Sequence, residues 1–208
     1  MNKMTREEKK VYLLSEIQKR MEENGGIIRT CQITELGVDY RRILAWVEDG
    51  TLERVKNGYY SMGYRERTEE NMIMGLFSDG VLCLESALYY HHYIEHKPYG
   101  WHIAIDKNTS KSRFRLKYPI VYPHYTEPSV LQLGVMDIPF SDGTMKIYTK
   151  ERMICDILKY EEKLERNMYK RALLSYIADS DKNIDDLLEI ARKRRVLQKV
   201  QNLIGVWL

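Results

Sequence analysis

The stretch GGIIRTCQITELGVDYRRILAWVEDGTLERVKNGYYS, residues 25–61, reads as two short helices, a turn and a hairpin in succession. Thr30 is suited to N-cap a helix over residues 30–36, because its hydroxyl can satisfy an orphan backbone N–H, and Gly37 ends that helix. Asp39 caps the next one, which is predicted to run to residue 49, and Gly50 stops it. Residues 52–55 then read as a strand, Asn57-Gly58 as a two-residue turn of the type I′ kind, and Tyr59-Tyr60 as the returning strand. Two helices with a glycine turn between them, followed by a β-wing, are the sequence pattern of a winged helix-turn-helix.

At 3.6 residues per turn, Tyr40, Ile43, Leu44 and Val47 fall on one face of the second helix, with Arg41, Arg42, Ala45 and Asp49 opposite and Trp46 at the edge. Ala45 leaves room for close approach to a duplex. The two arginines can fork onto guanine or phosphate. Lys56 at the wing tip suits a phosphate contact, which positions a protein on DNA more than it specifies sequence. The expected DNA contacts are therefore Arg29, Thr30, Tyr40, Arg41, Arg42, Trp46 and Lys56. A winged helix used only to bind protein would carry the same arginines as a solvated face.

The chain has 208 residues, enough for a small reader at 1–63 and a larger domain at 64–208, joined through the polar run around residues 63–68. A formal charge of +3 means that any nucleic-acid surface must come from local clustering rather than from a globally cationic chain. The three cysteines, Cys31, Cys83 and Cys155, are odd in number and widely spaced, which points to reduced thiols and a cytoplasmic setting. The charged start lacks an apolar segment behind it and no later run suits a bilayer, so neither secretion nor a membrane partner is expected.

Elsewhere, Thr5-Arg6-Glu7-Glu8 is a capping-box pattern opening a helix over residues 5–24, with Val11, Leu14, Ile17 and Met21 as its apolar stripe. Thr68 caps a helix to about residue 77, and residues 81–96 read as another, ended by Pro98. Strands are expected at 101–106 and 120–124, and a hairpin at 138–140 and 145–148. Helices follow at 150–160, 165–178, 184–194 and 196–207. The fold class is thus mostly α with small β elements, an α+β arrangement with a helical tail.

Four segments, GGIIRTCQITELGV, LERVKNGYYS, LCLESALYYHHYI and IYTKERMICDILKY, together resemble the AbiEi family of bacterial antitoxins in order and spacing. The resemblance implies an N-terminal winged helix that represses its own operon by binding the promoter, and a C-terminal antitoxin domain. It also implies a cognate nucleotidyltransferase toxin, encoded alongside in a type IV toxin–antitoxin and abortive phage-infection system. On this resemblance Thr30, Tyr40, Arg41, Arg42 and Lys56 belong to the DNA-reading part, and residues 151–158 to the antitoxin part.

Three constellations remain. His92, Glu95 and His96 fit H-x-x-E-H, which on a helix would make a zinc-dependent hydrolase; packing or surface histidines are the plainer reading. Lys111, Arg113, Arg115 and Lys117 alternate as in a strand, giving either secondary phosphate contacts or a charged edge that guards against pairing with another chain. Arg152 and Asp156, four apart, suggest an exposed helical ion pair, and 192–195 a solvated basic turn or a partner contact. No nucleotide loop, nucleophile elbow or paired-carboxylate pattern occurs, so no enzyme, catalytic residue, metal or cofactor is expected.

Overall fold

The computed structural model describes residues 5–63, 68–116, 118–141 and 143–205. It is mixed α/β, 51% helical and 19% strand. Helix dominates, yet one sheet has five strands and is no minor element. The chain forms two compact units. The first holds the described residues up to Ser78 with Pro139–Thr144, and the second runs Asp79–Ile138 and from Met145 onward. The division falls after Ser78 rather than at residues 63–68, of which 64–67 lie outside the described residues.

In the first unit, helix α1 (Arg6–Glu22) opens on a reciprocal capping box. The Glu8 N–H donates to Thr5 Oγ1 at 3.2 Å, and the Thr5 N–H donates to Glu8 Oε2 at 2.7 Å. Its buried stripe is Leu13, Ile17 and Met21, whereas Val11 is 67% exposed, so the expected stripe is rotated toward Leu13. Strand β1 (Ile28–Arg29), helix α2 (Thr30–Thr34), helix α3 (Tyr40–Glu48) and the hairpin of β2 (Leu52–Lys56) and β3 (Tyr59–Met62) follow. The three strands form an antiparallel sheet in the order β1-β3-β2. Ile17, Ile28, Ile33, Ile43, Trp46, Leu52 and Tyr60 close one core beneath these elements.

Helix α4 (Glu69–Leu76), capped by Thr68 through the Asn71 N–H at 3.2 Å, also belongs here. Close backbone approach explains why. A Cβ on Gly75 would sit 2.6 Å from the Asn24 carbonyl oxygen, and one on Gly25 would sit 2.5 Å from that of Asn71. Only glycine lets α4 lie this near the turn after α1.

The second unit is built on a sheet of order β6-β5-β4-β8-β7, comprising β4 (Val81–Leu82), β5 (Trp101–Asp106), β6 (Val121–Thr126), β7 (Val135–Phe140) and β8 (Gly143–Tyr148). The tip of the β7–β8 hairpin, Pro139–Thr144, is counted with the first unit. Strand β4 pairs antiparallel with β5 and parallel with β8, and β5 pairs parallel with β6. Helix α5 (Leu84–Tyr90) and the short α6 (Pro128–Leu131) precede a helical tail of α7 (Lys150–Lys159), α8 (Arg166–Ala178), α9 (Ile184–Arg194) and α10 (Leu197–Leu203). Every residue of α7 from Glu151 to Leu158 is buried, which makes it the central helix of the unit.

The expected helix over 81–96 is therefore two elements. Val81 and Leu82 are fully buried between two strands, and a short apolar run of that kind cannot be told from buried helix by periodicity. The expected strand at 111–117 is instead a 3₁₀ turn, Lys111–Phe114, opened by Ser110.

Candidate nucleic-acid interface

Helix α3 begins where expected: the Arg42 N–H donates to the Asp39 carboxylate at 2.9 Å. Its buried side consists of Ile43 and Trp46, with Val47 partly covered. Trp46, expected at the edge of a DNA-facing surface, is only 3% exposed and is a core residue. The outward side is Arg41, Leu44, Ala45 and Glu48, with Tyr40 on one flank and half-buried Arg42 on the other. Tyr40 and Leu44, assigned to the apolar face by spacing, are 48% and 40% exposed. The bulky indole is what sets the rotation: burying Trp46 turns the helix so that Leu44 faces out.

Thr30 does not cap α2. It is the first helical residue, Arg29 holds the cap position, and the Gln32 side chain accepts the Arg29 N–H at 2.9 Å. Thr30 has a different role, for its N–H donates to the Gly58 carbonyl at 2.9 Å and ties the start of α2 to the hairpin turn. Gly58 has φ +80° while Asn57 is not left-handed, so the turn is not type I′. An irregularity in pairing between Arg54 and Lys56 supplies the twist instead.

The hairpin carries a cationic, aromatic surface. The Lys56 ammonium lies 4.4 Å from the centroid of the Tyr59 ring, and the Arg29 guanidinium lies 5.7 Å from the same ring. Arg54 donates to the Tyr40 hydroxyl at 3.3 Å, which joins the hairpin to the first turn of α3. The phenols of Tyr60 and Tyr40 raise the pKa of Arg54, which keeps it a fixed cation. Arg54 and Tyr59 were missed in the sequence. The irregularity between Arg54 and Lys56, which sequence spacing does not show, sets Arg54 opposite Tyr60 and Lys56 opposite Tyr59.

Acidic groups border the other flank. Arg41, Arg42, Ala45 and Asp49 line a cleft with Glu7, Lys10 and Asp39, and Lys10 approaches Asp49 at 3.8 Å. Hydrogen bonding to Thr51 lowers the Asp49 pKa and keeps it charged. Positive charge is therefore concentrated at the hairpin in Arg29, Arg54 and Lys56, while Arg41 and Arg42 share their cleft with Glu7, Asp39 and Asp49.

The remaining constellations are rearranged in the second unit. Helix α5 ends at Tyr90, and His92 adopts φ +61° in the turns that follow, so His92, Glu95 and His96 share no helix face. Among the described residues no cluster of three His, Cys, Asp or Glu side chains is arranged to hold a metal ion. Lys111 and Arg115 are exposed, Arg113 is clamped onto the Asp79 carboxylate with one contact at 2.7 Å, and Lys117 lies outside the described residues. Lys111, Arg113 and Arg115 do not form the alternating strand face expected of them. Arg152 and Asp156 are buried rather than exposed, and Arg194, expected in a solvated basic turn, is buried against Asp156. Among the described residues no helix is long and apolar enough to cross a membrane.

Residues 16–62 match the model of the AbiEi antitoxin family of transcriptional regulators. The crystal structure of the RV2827C protein from Mycobacterium tuberculosis is similar in fold, with a TM-score of 0.60 and 14% sequence identity, over 94% of this chain and 77% of that one. No curated protein matches the chain.

Proposed function

We propose, from the match of residues 16–62 to the AbiEi antitoxin transcriptional regulators, that the chain is a DNA-binding autoregulator whose first unit is a winged helix reading its own promoter. In this reading α3 enters the major groove with Arg41 and Ala45 foremost and Arg42 on the flank, and the β2–β3 hairpin is the wing that tracks phosphate. The observation that carries it is the Arg54–Tyr40 bond at 3.3 Å, which couples the cationic hairpin to the outward face of α3. One rigid surface then offers both base-reading and phosphate-positioning groups. The second unit, in the same proposal, counters a cognate nucleotidyltransferase toxin, so that repression and neutralisation are divided along the chain.

A gel shift of the full-length protein on the DNA upstream of its own coding sequence tests this. Retardation of that DNA in preference to an unrelated duplex of equal length is the expected result. Equal binding to both, or none, would leave the winged helix as a protein-binding module.

A further inference from the structure

His102 on β5 and His124 on β6 lie on adjacent parallel strands, with His102 opposite Tyr122 and Ala104 opposite His124. The two-residue offset puts both imidazoles on one face of the sheet. Nδ1 of His102 is 3.0 Å from Nε2 of His124, and the two rings are tilted by only 17° with centroids 5.1 Å apart. At that separation one nitrogen must carry a proton and the other a lone pair, since two lone pairs repel and two N–H groups collide. On the far side of His102, Nε2 faces Glu85 Oε1 of α5 at 3.8 Å, and the Tyr122 ring packs at 5.0 Å.

The strand they fasten is exposed to loss. Strand β6 is at the end of the sheet, with β5 as its one neighbour among the described residues, and Pro123 at its middle has no N–H to donate. Backbone bonds on one side hold it, together with this side-chain pair and the packing of Tyr122 on His102 and of Tyr125 on Phe114.

We propose that His102 and His124 hold one bridging N–H···N proton as a latch between β5 and the edge strand β6, and that protonation of both rings opens it.

The surroundings set the direction. Burial pushes both imidazoles down, His102 to about 4 with His124 as the second cause. Near His124, Asp156 of α7 favours protonation and Lys163, in the 3₁₀ turn Glu161–Lys163, opposes it. Tyr160 and Arg194 line the same small cavity, together with Cys83 and Thr126. Glu85 is itself pushed up by burial and by Glu165, which precedes α8, so it is a weakened counter-charge for His102. At neutral pH the pair holds one bridging proton and no net charge. The first added proton gives one imidazolium, which still donates across the bridge to its neutral partner; two added protons make both rings imidazolium, with N–H facing N–H about 3 Å apart, an arrangement of like charges that breaks the bond and disfavours ionisation of both. An unfolded histidine titrates near 6.5 and this pair lower, so attachment of β6 weakens as pH falls from about 6.5 toward about 4.

The test uses ¹⁵N-labelled full-length protein. At pH 7 the imidazole nitrogens of His102 and His124 are expected to show scalar coupling across one N–H···N bond. Between pH 6 and pH 4, local opening of β6 measured by hydrogen exchange, corrected for the intrinsic exchange rate, should rise at least tenfold relative to β4. His124→Gln keeps a donor and acceptor but cannot titrate, and should lose that acid response. Independent titration of the two rings near 6.5, an undiminished β6 response in His124→Gln, or a stoichiometric metal ion between the rings in place of the proton would each overturn the proposal. The coupling measurement on the unaltered protein decides the matter even if the variant fails to fold.

Discussion

The Asp156 carboxylate grips the Arg194 guanidinium through two contacts, from Nε at 2.7 Å and Nη2 at 2.6 Å, across 38 residues of chain and inside the core of the second unit. Its other oxygen accepts from Arg152 Nε at 3.0 Å. Arg152 in turn lies 4.2 Å from the centroid of the Tyr148 ring and donates to the Val130 and Leu133 carbonyls at 2.6 and 2.7 Å. One carboxylate thus neutralises part of two buried cations that join α6, α7 and α9.

Removing that carboxylate leaves two guanidinium groups buried without a counter-charge. Asp156→Ala is expected to destabilise the protein by about 3–5 kcal/mol, the usual cost of breaking a buried pair from one side. Urea unfolding followed by far-ultraviolet circular dichroism measures it, and a loss below about 1 kcal/mol would mean that the cluster is not structural.

Asp179 gives a pH dependence of known sign. Burial pushes its carboxyl up, but the Lys150 ammonium and the Tyr93 hydroxyl, both at 2.7 Å, and the Asp181 N–H overcome this and hold it at about 2. A carboxyl depressed in the folded state stabilises above its unfolded pKa of about 3.9, and that contribution is lost as pH falls toward about 2. Asp179→Asn should therefore be less stable than the parent at pH 6, and the two should converge by pH 2. A gap that stays constant from pH 6 to pH 2 would contradict the assignment.

These features differ in how far they could be read from the chain. The Thr5–Glu8 box, the Asp39 cap and the hairpin around Asn57-Gly58 were legible because each depends on residues within four positions of one another. Trp46 was misplaced because helical spacing gives the relative positions of side chains but not which flank meets the core. Arg152 and Asp156 were read as a surface pair because their spacing is local, while the fact that buries them is Arg194, far along the chain. The His102–His124 contact is invisible for the same reason, since it needs the parallel register of β5 and β6.

On the hairpin, Lys56→Ala should weaken binding to all DNA sequences about equally and lower the salt slope by about one unit, as for a single phosphate contact. Arg54→Ala should do the same and in addition loosen the tie to Tyr40. Binding isotherms at several salt concentrations on promoter and unrelated DNA separate the two. An altered sequence preference with an unchanged slope in Lys56→Ala would mean that the wing reads bases.

If repression and neutralisation are divided along the chain, the full-length Arg41→Ala/Arg42→Ala variant should fail to repress a promoter reporter yet still rescue cells from the cognate toxin. Loss of rescue by a folded variant would show that the first unit also acts in neutralisation.

The most direct measurement is the affinity of the same double variant for promoter DNA, by fluorescence anisotropy at fixed salt beside the unaltered protein. The account predicts preferential promoter binding by the parent, with a loss in the variant of about 1–3 kcal/mol for each base contact removed, while binding to unrelated DNA changes far less. Promoter affinity unchanged in a folded Arg41→Ala/Arg42→Ala protein would contradict it.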